Sequence, residues 1–405
     1  MPQWRWEDRI NVDRLRKERV EKLREEMKKN GIGTYLCFDA PNIKYLTDIH
    51  QPKLLEKVAL HENVIFPRTG DPILYTWGSR WKRIRDELAP WLKGNVKPGF
   101  RLGFYLMRNA YPEDFIADLK KTMAEHGVSN EAVAIDMPVI SLDLKQIFEK
   151  GGIRVVDGGP FIRKARMIKT PDEIECQRIA SSVCDEAYAR MREAIRPGIR
   201  EYELESIAID TALKRGADEA MAILVCSGEN TTPNMGGASD RPLRRGDLIF
   251  FDLADISWKG YRVCYYRTFS CGKPTQRQKD NYQECMSLTY KAIEKVKAGV
   301  SSAEIVKAWP PPEHWGAKTW WEISECAIGH GIGLWVQEAP GISPLISIQH
   351  PITLEENMVI ALETWYGDKQ HPTDGARFEE TIVVKKEGYE LLTLWPKDEI
   401  TEAFF

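Results

Sequence analysis

Ile328-Gly329-His330-Gly331-Ile332-Gly333 sets a single imidazole in a run of glycines and branched apolar residues. Three more segments of the second half do the same with a charged group. They are Ile249-Phe250-Phe251-Asp252, Val359-Ile360-Ala361-Leu362-Glu363, and Arg377-Phe378-Glu379-Glu380-Thr381-Ile382-Val383-Val384. An unpaired buried carboxylate is costly, so it is normally neutralised by pairing, protonation or a metal. One such residue would be unremarkable. Asp252, His330, Glu363 and Glu379 on four apolar, strand-like segments point to one shared site. Carboxylate oxygens with one imidazole suit Mn, Fe or Zn.

Outward from these segments the texture is β-rich, with strands expected at Met221–Cys226, Asp247–Ile256, Tyr261–Cys271, Val359–Tyr366 and Arg377–Lys385. Helices are expected at about 201–215, 275–297 and 302–309. A long helix opens at Thr170-Pro171-Asp172-Glu173, where Thr170 is the N-cap, Pro171 sits at N1 and Glu173 completes a capping box. It runs to about Ile195, before Pro197-Gly198. Upstream, strands and helices alternate. Residues 13–30 form a charged amphipathic helix with Val12, Leu15, Leu23 and Met27 on one face and a solvated Arg/Lys-rich opposite face. Asn30-Gly31 closes it. Thr34–Phe38, pieces of 61–76 and Ile153–Val156 are strands, and helices lie near 113–126 and 141–149. The first ~160 residues therefore read as an α/β unit and the remainder as α+β with antiparallel strands.

Length and composition exclude several classes. The chain has 405 residues, enough for two to three domains. Its 57 Lys+Arg against 60 Asp+Glu leave no basic excess for nucleic acid. No run approaches the apolar length of a membrane span. The opening Met1-Pro2-Gln3-Trp4-Arg5-Trp6 has no apolar core of a secretory signal, so a cytoplasmic protein is expected. Its eight cysteines contain no CxxC pair and read as reduced, mostly buried thiols. Thirteen tryptophans exceed ordinary core needs, and a surplus of aromatics can line a pocket for a cation.

These segments resemble the pita-bread superfamily of creatinase, aminopeptidase P, prolidase and methionine aminopeptidase. The markers are the GHGIG segment, Glu363 following Leu354-Glu355-Glu356-Asn357-Met358, and the Arg377-x-Glu379-Glu380-Thr381 strand. Gly246-Asp247-Leu248-Ile249 leading to Asp252, Tyr266-Arg267-Thr268-Phe269, and Arg163-x-x-Arg166-x-Ile168-Lys169-Thr170-x-x-Glu173 fit as well. The markers fall in order over 160–390, and the first 160 residues resemble the creatinase-type N-domain more weakly. The resemblance implies an α/β N-terminal domain, 1–164, plus an α+β pita-bread (creatinase/aminopeptidase-like) C-terminal catalytic domain, 165–405.

By that resemblance Asp252, His330, Glu363 and Glu379 occupy four of five dinuclear metal-ligand positions. The fifth, an Asp bridging both metals in the peptidases, is Cys264 here. A thiolate can still ligate one soft or borderline metal. Asp255 is a poor substitute, because its odd spacing from Asp252 turns it to the other face of a regular strand. Two imidazoles that serve substrate in the peptidases are also replaced. Gln337 stands seven residues after His330, and the segment after Ser227-Gly228 carries Asn234 and no His. The Asp252–Cys264 spacing is one residue longer than in ordinary peptidases. The dimethylsulfoniopropionate lyase branch, implied to act on a sulfonium with a di-iron site, has a similar insertion. Its extra Asp is Ala254 here.

Strand parity puts Tyr266 on the face of Cys264 and Trp365 on that of Glu363, a lining suited to a small cation. The expected function is a creatinase/aminopeptidase P-like hydrolase that cleaves a C–N bond of a small, cationic or amino-acid-derived substrate at a degenerate metal site. Xaa-Pro peptidase, dimethylsulfoniopropionate-type lyase and non-catalytic binding module are the alternatives. The metal ligands would be Asp252, Cys264, His330, Glu363 and Glu379, holding at most one divalent ion (Fe, Zn or Mn). Catalytic groups would be His330, Glu338, Glu363 and Glu379, with Glu338 or a protonated Glu as acid/base. Without metal, His330 would be the general base. Tyr266, Asn234, Gln337, Trp365 and His371 would contact substrate. Each has a plainer reading: Cys264, Tyr266 and Trp365 as core, Gln337 and Asn234 as surface polar groups, and Glu363 and Glu379 as salt-bridge partners of Arg377 or Arg267. A homodimer is expected, with no nucleic acid or membrane partner.

Overall fold

The computed structural model describes residues 6–50, 62–99, 112–136, 142–221, 223–232, 236–324, 326–368 and 370–404. The chain divides into two compact units, Asn11–Arg166 and Met167–Phe405, the latter joined by the described part of Met1–Ile10. Among the described residues no helix is long and apolar enough to cross a membrane.

The first unit is α/β. Helix α1 (Val12–Lys29) starts where the Asn11 side chain accepts the Arg14 N–H, and it buries Leu15, Leu23 and Met27. Gly31, at φ +64°, supplies the left-handed turn that ends it. Its charged face departs from expectation at one place. Arg19 is fully buried, pairing with Asp48 at 3.0 Å and lying over the Tyr45 ring. A buried guanidinium needs such a partner. Strands β1 (Ile32–Cys37), β2 (Asn63–Pro67), β3 (Ile73–Thr76), β4 (Val96–Pro98), β5 (Ala132–Ile135) and β6 (Val155–Asp157) form one mixed sheet, in the order β4-β3-β2-β1-β5-β6. Leu36, Ile65 and Val133 of the sheet pack with Phe115, Leu119 and Phe148 from the helices Pro112–Glu125 and Leu142–Lys150. Strand β5 and a helix over Ala40–Thr47 were not anticipated. Both are short, and Ala-Val-Ala-Ile shows no alternation because both faces are covered.

The second unit opens with α2 (Pro171–Ala194). The Thr170 hydroxyl accepts the Glu173 N–H, and Glu173 accepts the Thr170 N–H, the reciprocal cap expected. Three sheets follow. A four-stranded sheet contains β7 (Ile223–Ser227), β8 (Leu248–Leu253) and β9 (Tyr266–Cys271). A five-stranded sheet contains β10 (Ala327–Gly331), β11 (Glu338–Ile342), β12 (Val359–Asp368) and β13 (His371–Val384). The third sheet is small, built on Glu219–Ala220, Ile256–Trp258 and Tyr261–Arg262.

The single strand expected over Tyr261–Cys271 is broken at 263–265. Side chains take over the backbone there. The Thr381 hydroxyl accepts the Cys264 N–H at 3.2 Å and donates to the Cys264 carbonyl at 2.5 Å. The Tyr188 hydroxyl, from α2, donates to the Tyr265 carbonyl at 2.5 Å. Leaving the ladder costs little when such partners replace it.

Candidate metal and catalytic site

The register places the site residues. In the five-stranded sheet Glu363 stands opposite Glu379, and Ile328 opposite Glu363. Directly opposed residues share a face, and so do residues two apart on one strand. His330, Glu363 and Glu379 therefore lie on one face, together with Trp365 and Arg377, which are themselves opposite each other. In the four-stranded sheet Asp252 faces Tyr266. The broken segment delivers Cys264 between the two groups. Its Sγ lies 3.5 Å from Asp252 Oδ1 and 3.4 Å from Glu379 Oε2.

Three donor atoms converge, one each from Cys264, His330 and Glu379, all within 4.8 Å of one another and all buried. The His330 tautomer follows from its neighbour. Nδ1 lies 3.0 Å from the Gly331 carbonyl, which can only accept, so Nδ1 carries the hydrogen. Burial lowers the His330 pKa, so the ring is neutral. Its Nε2 lone pair then faces Glu379 Oε1 at 3.7 Å, too far for a hydrogen bond. Neither buried atom has a hydrogen-bond partner. Two buried polar atoms without partners, beside a thiol and further carboxylates, fit a bound cation, which would replace the proton that burial otherwise keeps on Glu379.

Charge balance points the same way. Asp252, Glu363 and Glu379 crowd around one guanidinium, Arg377, which donates to Glu363 Oε2 at 2.8 Å and sits 4.2 Å over the Tyr266 ring. Burial works against the Arg377 charge, but Tyr266, Glu363 and the other carboxylates outweigh it and hold it firmly protonated. One cation does not balance three acids. Burial first, and then Glu363, push Asp252 up to about 7. Burial, Glu363 and Asp252 push Glu379 well above the usual carboxylate range. Burial and the same acids push the Cys264 thiol up. Cys264 also borders an apolar cluster with Ile174, Ile332 and Val383, so it stands on the seam between core and site.

The remaining expected residues are more dispersed. Glu338 pairs with Lys169 Nζ at 2.8 Å, both side chains nearly buried. The space beside Gly333 is taken by this pair, where an added Cβ would sit 2.2 Å from Glu338 Oε1. Gln337 is exposed in the preceding loop. The Trp365 indole N–H donates to the Thr231 carbonyl at 3.0 Å, which ties the ring to the wall after β7. His371 is half-buried at the start of β13. Asn234 lies outside the described residues. Asp255 pairs with Arg262, away from the cluster.

Sequence reasoning offered Arg267 only as a salt-bridge partner of Glu363 or Glu379, and it missed other groups that hold this site in place. Arg267 donates to the carbonyls of Tyr266 and Glu379 and pairs with Glu380 at 2.9 Å, which fixes the two ligand-bearing backbones to each other. Glu201 accepts from the N–H and hydroxyl of both Ser227 and Ser239 and so anchors the loop after β7. Thr381 shares a strand face with Glu379, so parity could have revealed it. Lys169 had no such signal, because its partner is far away in the sequence.

With this geometry in hand, comparison with known proteins is direct. Residues 175–386 match metallopeptidase family M24. The chain belongs to that family. Residues 19–168 match the creatinase/prolidase N-terminal domain. Among relatives, an Xaa-Pro dipeptidase of Pyrococcus horikoshii is 28% identical over 93% of this chain and 97% of its own length. The uncharacterized peptidase YqhT of Bacillus subtilis is 29% identical, with 58% of this chain matching 65% of that relative, just under two thirds. The dimethylsulfoniopropionate lyase DddP of Roseovarius nubinhibens is 26% identical over 96% of this chain and 87% of its own length. The crystal structure of an X-Pro aminopeptidase from Thermotoga maritima superposes with a TM-score of 0.74 at 24% identity, covering 95% of this chain and 99% of that one. The fold is thus a creatinase-type N-terminal domain followed by the M24 pita-bread domain.

Proposed function

We propose that the chain is a hydrolase that cleaves a C–N bond in a small, cationic or amino-acid-derived substrate. The observation that carries this reading is the pair of unpartnered buried atoms, His330 Nε2 and Glu379 Oε1, beside the Cys264 thiol, in a buried cluster where Asp252, Glu363 and Glu379 surround Arg377. Such a cluster favours a positively charged occupant. Cys264, His330 and Glu379 would hold a divalent metal, with Asp252 adjacent. When bound, the metal supplies Lewis acidity and makes water a better nucleophile.

The chain's own groups divide the remaining work. The Gly331 carbonyl fixes His330 so that Nε2 presents its lone pair. Glu338, salt-bridged through Oε1 to Lys169, is the proposed acid/base group. Asp252, whose Oδ1 lies 3.5 Å from Cys264 Sγ, is placed to exchange a proton with a bound substrate. Arg377 neutralises Glu363 and holds it beside Tyr266. We propose Tyr266, Trp365, Gln337 and His371 as substrate contacts, with Asn234 carried over from the sequence alone, and a homodimer as the assembly.

Xaa-Pro dipeptide hydrolysis is the second reading, favoured by the full-length match to the Pyrococcus horikoshii Xaa-Pro dipeptidase. The replacement of both peptidase-type imidazoles by Gln337 and Asn234 weighs against it, since amides cannot carry protons near neutral pH. One experiment separates the two. Purified protein is screened, with and without chelator, on Xaa-Pro dipeptides, on small amides and amidines bearing a cationic group, and on a sulfonium zwitterion. Chelator-sensitive C–N cleavage of the cationic set, with weak Xaa-Pro turnover, is expected. A kcat/KM of about 10⁴ M⁻¹s⁻¹ or more on Xaa-Pro dipeptides would establish the second reading. Elimination from the sulfonium alone would replace both with a lyase.

A further inference from the structure

We infer that this site takes a single thiophilic divalent ion, of the Zn²⁺, Co²⁺ or Fe²⁺ class, bound through the thiolate of Cys264 together with His330 Nε2 and Glu379. The inference rests on the metal-dependent reading above and adds ion class, stoichiometry and the sulfur bond.

Four observations carry it. First, the three donors are close enough to share one ion. Cys264 Sγ is 3.4 Å from Glu379 Oε2, His330 Nε2 is 3.7 Å from the other oxygen, Oε1, and one donor atom from each of the three residues lies within 4.8 Å of the others. Second, the imidazole is already in the ligating tautomer, with Nδ1 engaged by Gly331 and Nε2 without a partner. Third, Cys264 is positioned by more than core packing. Thr381 clamps both its N–H and its carbonyl, and Tyr188 holds the next carbonyl, so the strand is interrupted at the residue whose sulfur enters the cluster. A thiol serving only as core filler needs no such clamp. Fourth, Glu363, one of the five positions that the resemblance implies for a dinuclear site, is already engaged by Arg377 at 2.8 Å, with both side chains almost wholly buried. A guanidinium there opposes a second dication.

Thiolate ligation selects among ions. Soft and borderline ions accept sulfur, whereas Mn²⁺ and Mg²⁺ prefer all-oxygen shells. On binding, the Cys264 S–H bond breaks, its electron pair forms the sulfur–metal bond, and the proton leaves to solvent.

The test is a Co²⁺ titration of the chelator-stripped full-length protein, followed by absorption. One equivalent should bind with a thiolate-to-cobalt charge-transfer band in the near ultraviolet. Excess Mn²⁺ should not displace it, while Zn²⁺ should bleach it. Cys264→Ser should lose the band and bind Co²⁺ at least tenfold more weakly, with unchanged far-ultraviolet circular dichroism. His330→Gln is the second variant should Cys264→Ser misfold. It should retain a sulfur band but shift its ligand-field bands and lower the affinity. One equivalent of Co²⁺ without a sulfur band in the wild type, or a band persisting in Cys264→Ser, would overturn the thiolate while leaving a metallohydrolase intact. Two equivalents would overturn the single-ion claim. No binding at all would overturn both this inference and the metal-dependent reading, whereas a failed substrate screen with the cobalt signature present would overturn only the proposed reaction.

Discussion

Replacing Arg377 by methionine probes the charge balance of the site most directly. The side chain is 2% exposed and its partner Glu363 7% exposed, at 2.8 Å. Methionine keeps the apolar stem and removes the guanidinium that these three carboxylates surround. Removing one partner of a buried ion pair costs about 3–5 kcal/mol, because the other charge is left without compensation. The lost cation–π contact with Tyr266, at 4.2 Å, adds about 0.5–2 kcal/mol. For a unit of this size each kcal/mol corresponds to about 2–4 °C in Tm. Thermal unfolding in chelator near neutral pH should therefore show Arg377→Met melting at least ~6 °C below the wild type. The deficit should shrink as the pH is lowered, since protonating the carboxylates removes the charge that Arg377 balances. It should also shrink when Zn²⁺ is added. The double variant with Glu363→Gln should recover most of the loss, because the stranded charge is then gone. A folded Arg377→Met protein within about 2 °C of the wild type, at every pH and with or without metal, would refute this account of the site.

Further outcomes follow from other parts of the chain. In the chelated wild type, Asp252 is raised from 3.8 to about 7, so the folded state binds more protons than the unfolded one between those values, and stability should fall as pH rises through that window. Saturating Zn²⁺ should flatten that slope, and a Tm that rises with pH across it in chelator would contradict the assignment. Gly333→Ala places a Cβ 2.2 Å from Glu338 Oε1, so the carboxylate must leave Lys169. A loss of about 1–3 kcal/mol in urea unfolding is expected, and an unchanged midpoint would show that the pair yields without cost. In the first unit, burial opposes the Asp48 charge, but Lys44, Arg19 and Arg16 outweigh it and hold its pKa well down. Asp48→Asn removes the carboxylate that pairs with Arg16, Arg19 and Lys44 and should cost about 3–5 kcal/mol near neutral pH. Because that stability belongs to the ionised Asp48, the gap to wild type should narrow as pH falls below about 4, and a gap that widens in acid would reverse the sign argued here. Light scattering should report a dimer near twice 46.5 kDa, and an active monomer would be the contrary result.

Much of the architecture was legible because its signals are local. The reciprocal cap at Thr170 and Glu173 is written in four consecutive residues, and α2 starts there. The apolar positions of α1 repeat at helical spacing, and the polar interruptions at Asp252, His330, Glu363 and Glu379 stand out against runs of apolar residues. Strand period then places Trp365 and Glu363 on one face without any structure. The short elements were harder. Ala132–Ile135 carries no alternation, since a strand covered on both sides has no polar face to mark it.

What the sequence by itself determined is the set of chemical groups and their order: four carboxylate or imidazole positions with a cysteine where a fifth acid is expected, in two domains of definite class. What only the tertiary structure decided is which of these groups face each other and which are already occupied. That Glu363 is held by Arg377, that Glu338 is held by Lys169, and that His330 Nε2 comes within 3.7 Å of Glu379 Oε1 depends on strand register and on contacts between residues distant in sequence. The broken segment at Cys264 is the sharpest case. Its strand-like sequence predicts a continuous ladder, yet Thr381 and Tyr188, brought from a neighbouring sheet and a distant helix, offer its backbone better-placed partners. Local propensity cannot register that competition, because backbone hydrogen bonds go to whichever partners the assembled core supplies.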